Sequence, residues 1–125
     1  MAFTESYLEN QRWQQFSFYE TGHTADGMAE SIAHATKAWR LAEIRMHFSI
    51  AMISIFDLVI YLSSARGSAY NTKLLSQALL TVQDLWIHYS DALLFQSGDQ
   101  LVFAHGSTVT VNHRGTEVIG WSIIN

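Results

Sequence analysis

A period-two alternation of apolar and charged residues between Trp39 and Phe48 is the feature that most constrains the fold. The even positions from 42 to 48 are apolar, whereas the odd positions from 43 to 47 carry Glu43, Arg45 and His47. Successive side chains of a β-strand point to opposite faces, so an extended chain places the polar groups together on one face. A helix would distribute the same groups around its axis. The segment therefore predicts a strand with one buried face and one exposed face.

The same period-two signal recurs along the chain. It extends over Phe56–Leu62, and it is present in Phe16–Phe18, Leu85–Tyr89, Leu101–Phe103, Val109–Val111 and Val118–Ile124. Turn-forming residues separate these segments at Asp26-Gly27, Ser63–Asn71 and Ser97–Asp99, and a hairpin loop is expected at Asn112–Gly115. Residues 29–38 fit either a short helix or a strand, and Thr72–Leu80 fits a strand or a loop edge. Seven or eight short strands are typical of an all-β sandwich, jelly roll or barrel.

The chain of 125 residues fits one domain, which can bury a core without cross-links. We expect a β-sandwich over residues 16–125, preceded by an N-terminal arm or short helix over residues 1–15. Ser6–Glu9 fits a capping box at the start of a helix, and a flexible arm is equally compatible. The apolar side chains of this segment, Tyr7, Leu8 and Trp13, are the expected contacts with a neighbouring subunit or lattice.

The apolar run from Met46 to Leu62 leaves a membrane span as an alternative, because its length approaches about 20 residues. Asp57 lies inside this run, and a charge at the centre of a bilayer costs about 2.5–3.5 kcal/mol. Two strands joined by a tight apolar bend fit the run better. We therefore expect no contact with a membrane.

The chain has few charges with which to cover its surface. Charged residues make up 14 % of the chain and apolar residues 49 %, whereas about 25 % charged residues is usual in soluble domains. We therefore expect part of the surface to be covered by further copies of the chain or by a larger partner. The net charge of −4 also argues against a surface for nucleic acid.

Patterns for catalysis, metal binding or cofactor binding are absent from the sequence. Without cysteine there is no thiolate chemistry and no disulfide framework. The six histidines do not form H-x-H or H-E-x-x-H pairs, and nucleophile-elbow, P-loop and dinucleotide motifs are missing. Gly98-Asp99 resembles a fragment of a calcium loop, but a β-turn explains it better. The prediction is no enzyme, no catalytic residue, no metal and no cofactor.

The tryptophans divide into two groups by position. Trp39 and Trp121 lie in the clearest strands, which favours the core. Trp86 shares a strand face with His88, so Trp86 and the nearby Tyr89 are the candidates for an exposed aromatic contact, such as stacking on a sugar ring. A carbohydrate-binding domain is therefore the alternative function.

Four segments, together about two-thirds of the chain, resemble small virion proteins of tailed bacteriophages. They are WRLAEIRMHFS (Trp39–Ser49), DLVIYLSSARGSAYNTKLLSQAL (Asp57–Leu79) with its Gly-x-x-Tyr-Asn turn, SGDQLVFAH (Ser97–His105) and GWSIIN (Gly120–Asn125). Their shared features are turn chemistry and strand alternation. One departure is that His47–Phe56 is more apolar than the polar loop expected there.

The resemblance implies a jelly-roll-like β-sandwich that serves as a capsid decoration (cement) protein. It implies a homo-oligomer, expected to be a trimer, which binds the major capsid protein and stabilises the shell. The chain would then be located in the virion, on the capsid surface, after assembly in the host cytoplasm. For the carbohydrate-binding alternative, the resemblance implies an adhesin domain of a phage fibre or tail.

Overall fold

Eight β-strands form two four-stranded antiparallel sheets in the computed structural model, which describes residues 13–33, 37–52, 57–106 and 112–123. The strands are β1 (Trp13–His23), β2 (Met28–Ile32), β3 (Trp39–Phe48), β4 (Asp57–Ser63), β5 (Thr72–Ala78), β6 (Asp84–Phe95), β7 (Gln100–His105) and β8 (His113–Ile123). The first sheet has the order β1-β8-β3-β6 and the second β2-β7-β4-β5. This arrangement is an eight-stranded jelly roll, so the predicted fold class is confirmed.

Strand β3 has the predicted alternation with one change of phase. Against β8 its register shifts between Leu41 and Glu43 with Ala42 as the extra residue, which is a β-bulge. Against β6 the register shifts at the same place, but there the extra residues lie in β6, between His88 and Leu93. Before the bulge the odd-numbered Trp39 and Leu41 are buried, and after it the even-numbered positions are. The bulge explains how residues of both parities reach the same core.

The core lies between the two sheets, and large apolar side chains from both sheets fill it. Those with no solvent exposure include Trp39, Leu41, Ile44, Phe48, Phe95 and Val118 of the first sheet and Leu58, Ile60, Leu101 and Phe103 of the second. The ring of Trp39 stacks on Phe95 with centroids 4.3 Å apart and meets Phe16 edge-on at 5.6 Å. Each such pair contributes about 0.5–1.5 kcal/mol beyond the burial of area. Three strands of the first sheet therefore meet at one indole ring.

Several segment boundaries differ from those expected. Residues 113–115, expected in a hairpin loop, belong to β8, where pairing with β1 and β3 on both sides overrides the local turn signal. Met28–Ile32 is a strand, not a helix. Residues 13–15, assigned to the arm, begin β1 and pair with the end of β8. Tyr7 and Leu8 lie outside the described residues.

The apolar run from Met46 to Leu62 contains the end of β3 and most of β4. Among the described residues, no helix is long and apolar enough to cross a membrane.

A buried ion pair closes one end of the sandwich. Arg114 donates two hydrogen bonds to the carboxylate of Glu20, from Nε at 3.1 Å and from Nη2 at 2.7 Å. Its Nη1 donates to the carbonyl oxygen of Gly27 at 2.9 Å and to Nε2 of His105 at 3.4 Å. His105 in turn donates from Nδ1 to the carbonyl oxygen of Gly106. Because His105 lies in the second sheet, this cluster connects the two sheets.

Burial lowers the pKa of His105, and the nearby charge of Arg114 lowers it further, while the hydrogen bond to Gly106 opposes the change. The imidazole is therefore neutral in the fold at neutral pH. Protonating it would place a second positive charge beside the buried guanidinium.

Gly120 of β8 lies in close contact with neighbouring atoms. A Cβ there would lie 2.9 Å from the carbonyl oxygen of Arg40 and 2.9 Å from Cζ of Phe16. We expect Gly120→Ala to lower the free energy of unfolding in urea by about 1–3 kcal/mol, because the backbone oxygen cannot move aside. Gly115→Ala is the matched control in the same strand, since a Cβ there meets no atom within 4 Å. Equal losses in both variants would contradict this packing.

The lowered pKa of His105 predicts a dependence of stability on pH. The unfolded chain binds this proton more readily, so the contribution is complete above the ordinary pKa of 6.5 and is lost as the pH falls below it. Urea titrations between pH 7.5 and 5.5 should show the free energy of unfolding decreasing, with a smaller slope in His105→Gln. Ser17→Gln, a change at an exposed position that removes no titratable group, is the control and should retain the wild-type slope. An unchanged slope in His105→Gln would show that another group is responsible.

Candidate functional site

The outer faces of the two sheets differ in charge. Strand register arranges the outward side chains of each sheet in rows that run across its four strands. The central rows of the first sheet carry carboxylates, a guanidinium and imidazoles, whereas those of the second are almost without charge. The two faces are therefore suited to different contacts.

One row of the first sheet consists of Tyr19, Glu117, Arg45 and Trp86, contributed by β1, β8, β3 and β6 in that order. Tyr19 is 69 % exposed and Trp86 is 68 % exposed. Three strand spacings separate these two positions, which is a distance of about 14 Å. The row thus has an exposed aromatic ring at each end and an ion pair between them.

The adjacent row consists of Thr21, Gly115, His47 and Asp84. Gly115 leaves the middle of this row without a side chain, and the two rows together line a groove of about 570 Å³. Sites for small ligands usually measure about 300–1,000 Å³. We refer to this feature as the aromatic-ended groove.

A network of hydrogen bonds forms the floor of the aromatic-ended groove. Arg45 donates from Nε to Oε1 of Glu43 at 2.7 Å and from Nη1 to Oε1 of Glu117 at 3.0 Å. Nε1 of Trp86 donates to the same Oε1 of Glu43. The side chain of Glu43 is only 10 % exposed, so the indole of Trp86 is attached at one edge to a nearly buried carboxylate.

The environment of Glu43 stabilises its charged form. Burial raises the pKa of this carboxyl group, but the hydrogen bonds from Arg45 and Trp86 outweigh burial and hold the pKa below its ordinary value of 4.5. Glu43 is therefore an anion at neutral pH and a poor proton donor.

Histidines gather at one end of the groove. His47 donates from Nδ1 to Oδ1 of Asp84 at 2.6 Å, and both side chains are exposed. The rings of His23 and His113 lie 4.5 Å apart beside a second hollow that His47 also lines. Across the described ranges, no three histidine, aspartate or glutamate side chains are arranged to hold a metal ion.

The structure separates the aromatic residues singled out from the sequence. Trp86 lies in the groove, whereas Tyr89 has the opposite parity in β6, is half-buried and packs against the core. Burial raises the pKa of the Tyr89 hydroxyl. Trp13 begins β1, and the guanidinium of Arg40 lies 5.1 Å from its ring centroid, which is a contact within the domain.

Sequence reasoning did not identify Tyr19 as a partner of Trp86. Tyr19 has an odd position in β1, so it lies on the other face of the strand from Phe16 and Phe18. This alternation is the sequence signal that could have identified Tyr19 as exposed. Strand order, which brings Glu117 and Arg45 between the two rings, is not visible in the sequence.

The outer face of the second sheet has the opposite character. Two rows cross it, one of Ala29, Ala104, Val59 and Ser76 and one of Ser31, Val102, Tyr61 and Lys73. Seven of these eight residues are uncharged, and the charged one, Lys73, lies on the edge strand β5. We refer to these eight residues as the charge-poor face.

The edge strand β2 of the second sheet carries a charge at an inward position. Glu30 lies between the buried Met28 and Ile32 and opposite Phe103. Inward-pointing charges on edge strands oppose the addition of a further strand. Contact with another chain is therefore favoured at the face of this sheet, not at its β2 edge.

No protein-family model matches the chain, and no curated protein matches it. Solved structures with a similar arrangement include a Bacillus endospore appendage protein, with 11 % identity over 90 % of this chain and 89 % of that chain and a TM-score of 0.48. The Yersinia pseudotuberculosis-derived mitogen is 7 % identical over 90 % of this chain and 87 % of that chain, with a TM-score of 0.46.

A chain of infectious bursal disease virus, Gx strain, is 12 % identical over 90 % of this chain, with a TM-score of 0.41. This chain spans about a third of that protein, 32 % of its length. At these scores none of the three assigns a family, so the function is argued from the residues themselves.

Proposed function

We propose that the chain is a structural subunit that associates with copies of itself through the charge-poor face. More specifically, we propose that it is a capsid decoration (cement) protein of a tailed bacteriophage. The observation that carries the proposal is the pair of rows on the second sheet in which Lys73 is the one charged residue among eight, on a chain whose charged residues make up only 14 %.

The composition of the charge-poor face favours burial. Val59, Val102 and Tyr61 are half-buried in the isolated chain, and covering apolar area contributes about 25 cal/mol per Å². Because seven of the eight residues are uncharged, covering this face removes few charges from water, and the free-energy cost of that desolvation is small. A second copy of the chain has the same low content of charged residues, so its surface is a suitable partner for this face.

The size of the charge-poor face favours a closed ring. Four strands and two rows make a patch of roughly 300 Å² in projection, whereas a standard interface buries about 800 Å² on each partner. A ring such as a trimer needs a head-to-tail contact, in which the charge-poor face of one copy meets a different surface of the next, so every copy takes part in two contacts whose contributions add. Repetition of weak contacts over a shell adds further stabilisation.

In this account the oligomer lies on the capsid surface and binds the major capsid protein. Residues 1–12 precede β1 in the chain, and Tyr7 and Leu8 among them are the proposed contacts with a neighbouring subunit. Trp13 is the weaker candidate of the original three, because its ring already packs against Arg40.

A lysine in the charge-poor face should prevent self-association. We expect light scattering to give the mass of an oligomer, and of a trimer if the specific proposal holds, for the wild-type chain. Val59→Lys should give the mass of a monomer, because its ammonium group would lose water in the contact. Ser17→Lys, at an exposed position on the first sheet, is the control and should retain the oligomer. A monomeric wild-type chain, or equal masses for both variants, would contradict the proposal.

Removal of residues 1–12 should weaken binding to shells without unfolding the domain. The truncation stops before Trp13, because residues 13–15 pair with β8 and support β1. In co-sedimentation with shells assembled from a tailed-phage major capsid protein that binds the full chain, we expect lower occupancy for the truncated protein. Its urea midpoint should equal that of the full chain. Full occupancy after truncation would exclude the arm as a contact.

A further inference from the structure

We propose that the aromatic-ended groove binds an uncharged oligosaccharide of several units. This inference is independent of self-association, because the groove lies on the first sheet and the charge-poor face on the second. It rests on four properties of the groove: a fixed aromatic ring, the spacing of two rings, the charge of the floor and the gap at Gly115.

Trp86 is a preorganised stacking surface. Its ring is 68 % exposed, yet its Nε1 is tied to the nearly buried carboxylate of Glu43. Exposed indoles are usually mobile, and ordering them on binding costs free energy. In Trp86 one edge of the ring is already fixed by the hydrogen bond to Glu43. Much of the ring is also exposed to solvent, so a sugar ring can stack on its face.

The separation of Tyr19 and Trp86 determines the length of the ligand. The two positions lie about 14 Å apart. A cation is held by an aromatic ring only within about 6 Å of its centroid, so this spacing of the two strand positions favours an extended ligand over one ammonium group. A single sugar ring is likewise shorter than the spacing. A chain of several sugar units can stack on both ends and cross the floor between them.

The floor favours hydroxyl groups and disfavours anions. The floor has more carboxylates than guanidinium groups, since Arg45 faces Glu43 and Glu117. Asp84 adds a third carboxylate, which pairs with the imidazole of His47. An acidic sugar or a phosphate would meet a net negative surface. Carboxylate oxygens accept hydrogen bonds from hydroxyl groups, and Arg45, which is 55 % exposed, uses two of its five N–H groups in the ion pairs.

Gly115 gives a ligand access to the floor. It lies between Thr21 and His47 in the second row of the groove, and a Cβ built there meets no atom within 4 Å. The open space allows a larger side chain at position 115 without a clash in the fold. Gly115→Leu should therefore fill the middle of the groove while leaving the domain intact.

The test uses the full chain and a defined panel of oligosaccharides. Cellotetraose, maltotetraose, N-acetylchitotetraose and a galactotetraose are the neutral probes, with their monosaccharides and a sialylated tetrasaccharide for comparison. Isothermal titration gives the affinity, and protection of tryptophan fluorescence from acrylamide reports on Trp86. We expect saturable binding of at least one neutral tetrasaccharide, with affinity at least about tenfold higher than for its monosaccharide, which corresponds to about 1.4 kcal/mol.

Variants locate the site. Trp86→Ala and Gly115→Leu should each weaken binding by at least about tenfold with an unchanged circular dichroism spectrum. Tyr70→Ala is the matched control, because Tyr70 is an exposed aromatic residue, 61 % exposed, outside the groove. Val59→Lys should bind as the wild type does, so failure of self-association and failure of the sugar site give different results.

Three results would overturn the proposal. They are no binding by any neutral tetrasaccharide, wild-type affinity in both Trp86→Ala and Gly115→Leu, and tighter binding of the sialylated probe than of every neutral one.

Discussion

The packing of first-sheet side chains around the buried ring of Trp39 sets which residues of the fold face inward and which face outward. Phe95 stacks on its indole and Phe16 meets it edge-on, so β1, β3 and β6 are joined at one buried ring. Once alternate side chains are committed to this core, the remaining ones must face outward in fixed rows. The residues of the outer rows contribute little to the core, so their side chains can contact other molecules.

The few charged residues of the chain are unequally distributed between the outer faces of the two sheets. The groove of the first sheet contains the ion pairs of Arg45 with Glu43 and Glu117, whereas Lys73 is the one charged residue of the charge-poor face. The carboxylate of Glu43 is held in its ionised form, which suits a role in fixing Trp86 and not in donating a proton. A domain with an assembly surface on one sheet and a ligand surface on the other fits both proposals without requiring catalysis.

Alternation of charged and apolar residues is a local signal, and it predicted β3 and an all-β sandwich, jelly roll or barrel; the jelly roll in particular was implied by the resemblance to virion proteins. Alternation did not predict the bulge at Ala42, which depends on the register with β8, or the inclusion of Gly115 in β8. The row from Tyr19 to Trp86 depends on the order of four strands that are distant in sequence. Alternation along β6 places Trp86 on the outer face and Tyr89 on the inner face. The sequence analysis treated the two as neighbours, and the structure shows that they lie on opposite faces of the sheet.

The most direct test of the account measures which face is covered when copies of the chain associate. The chain has no cysteine, so Ala104→Cys and Ser17→Cys each introduce a single thiol, one in the charge-poor face and one on the opposite sheet. If copies associate through the charge-poor face, the thiol of Ala104→Cys should react several-fold more slowly with a disulfide reagent at high protein concentration than after dilution, while that of Ser17→Cys should react equally at both. Equal reactivity of both thiols at all concentrations, or protection of Ser17→Cys alone, would contradict it.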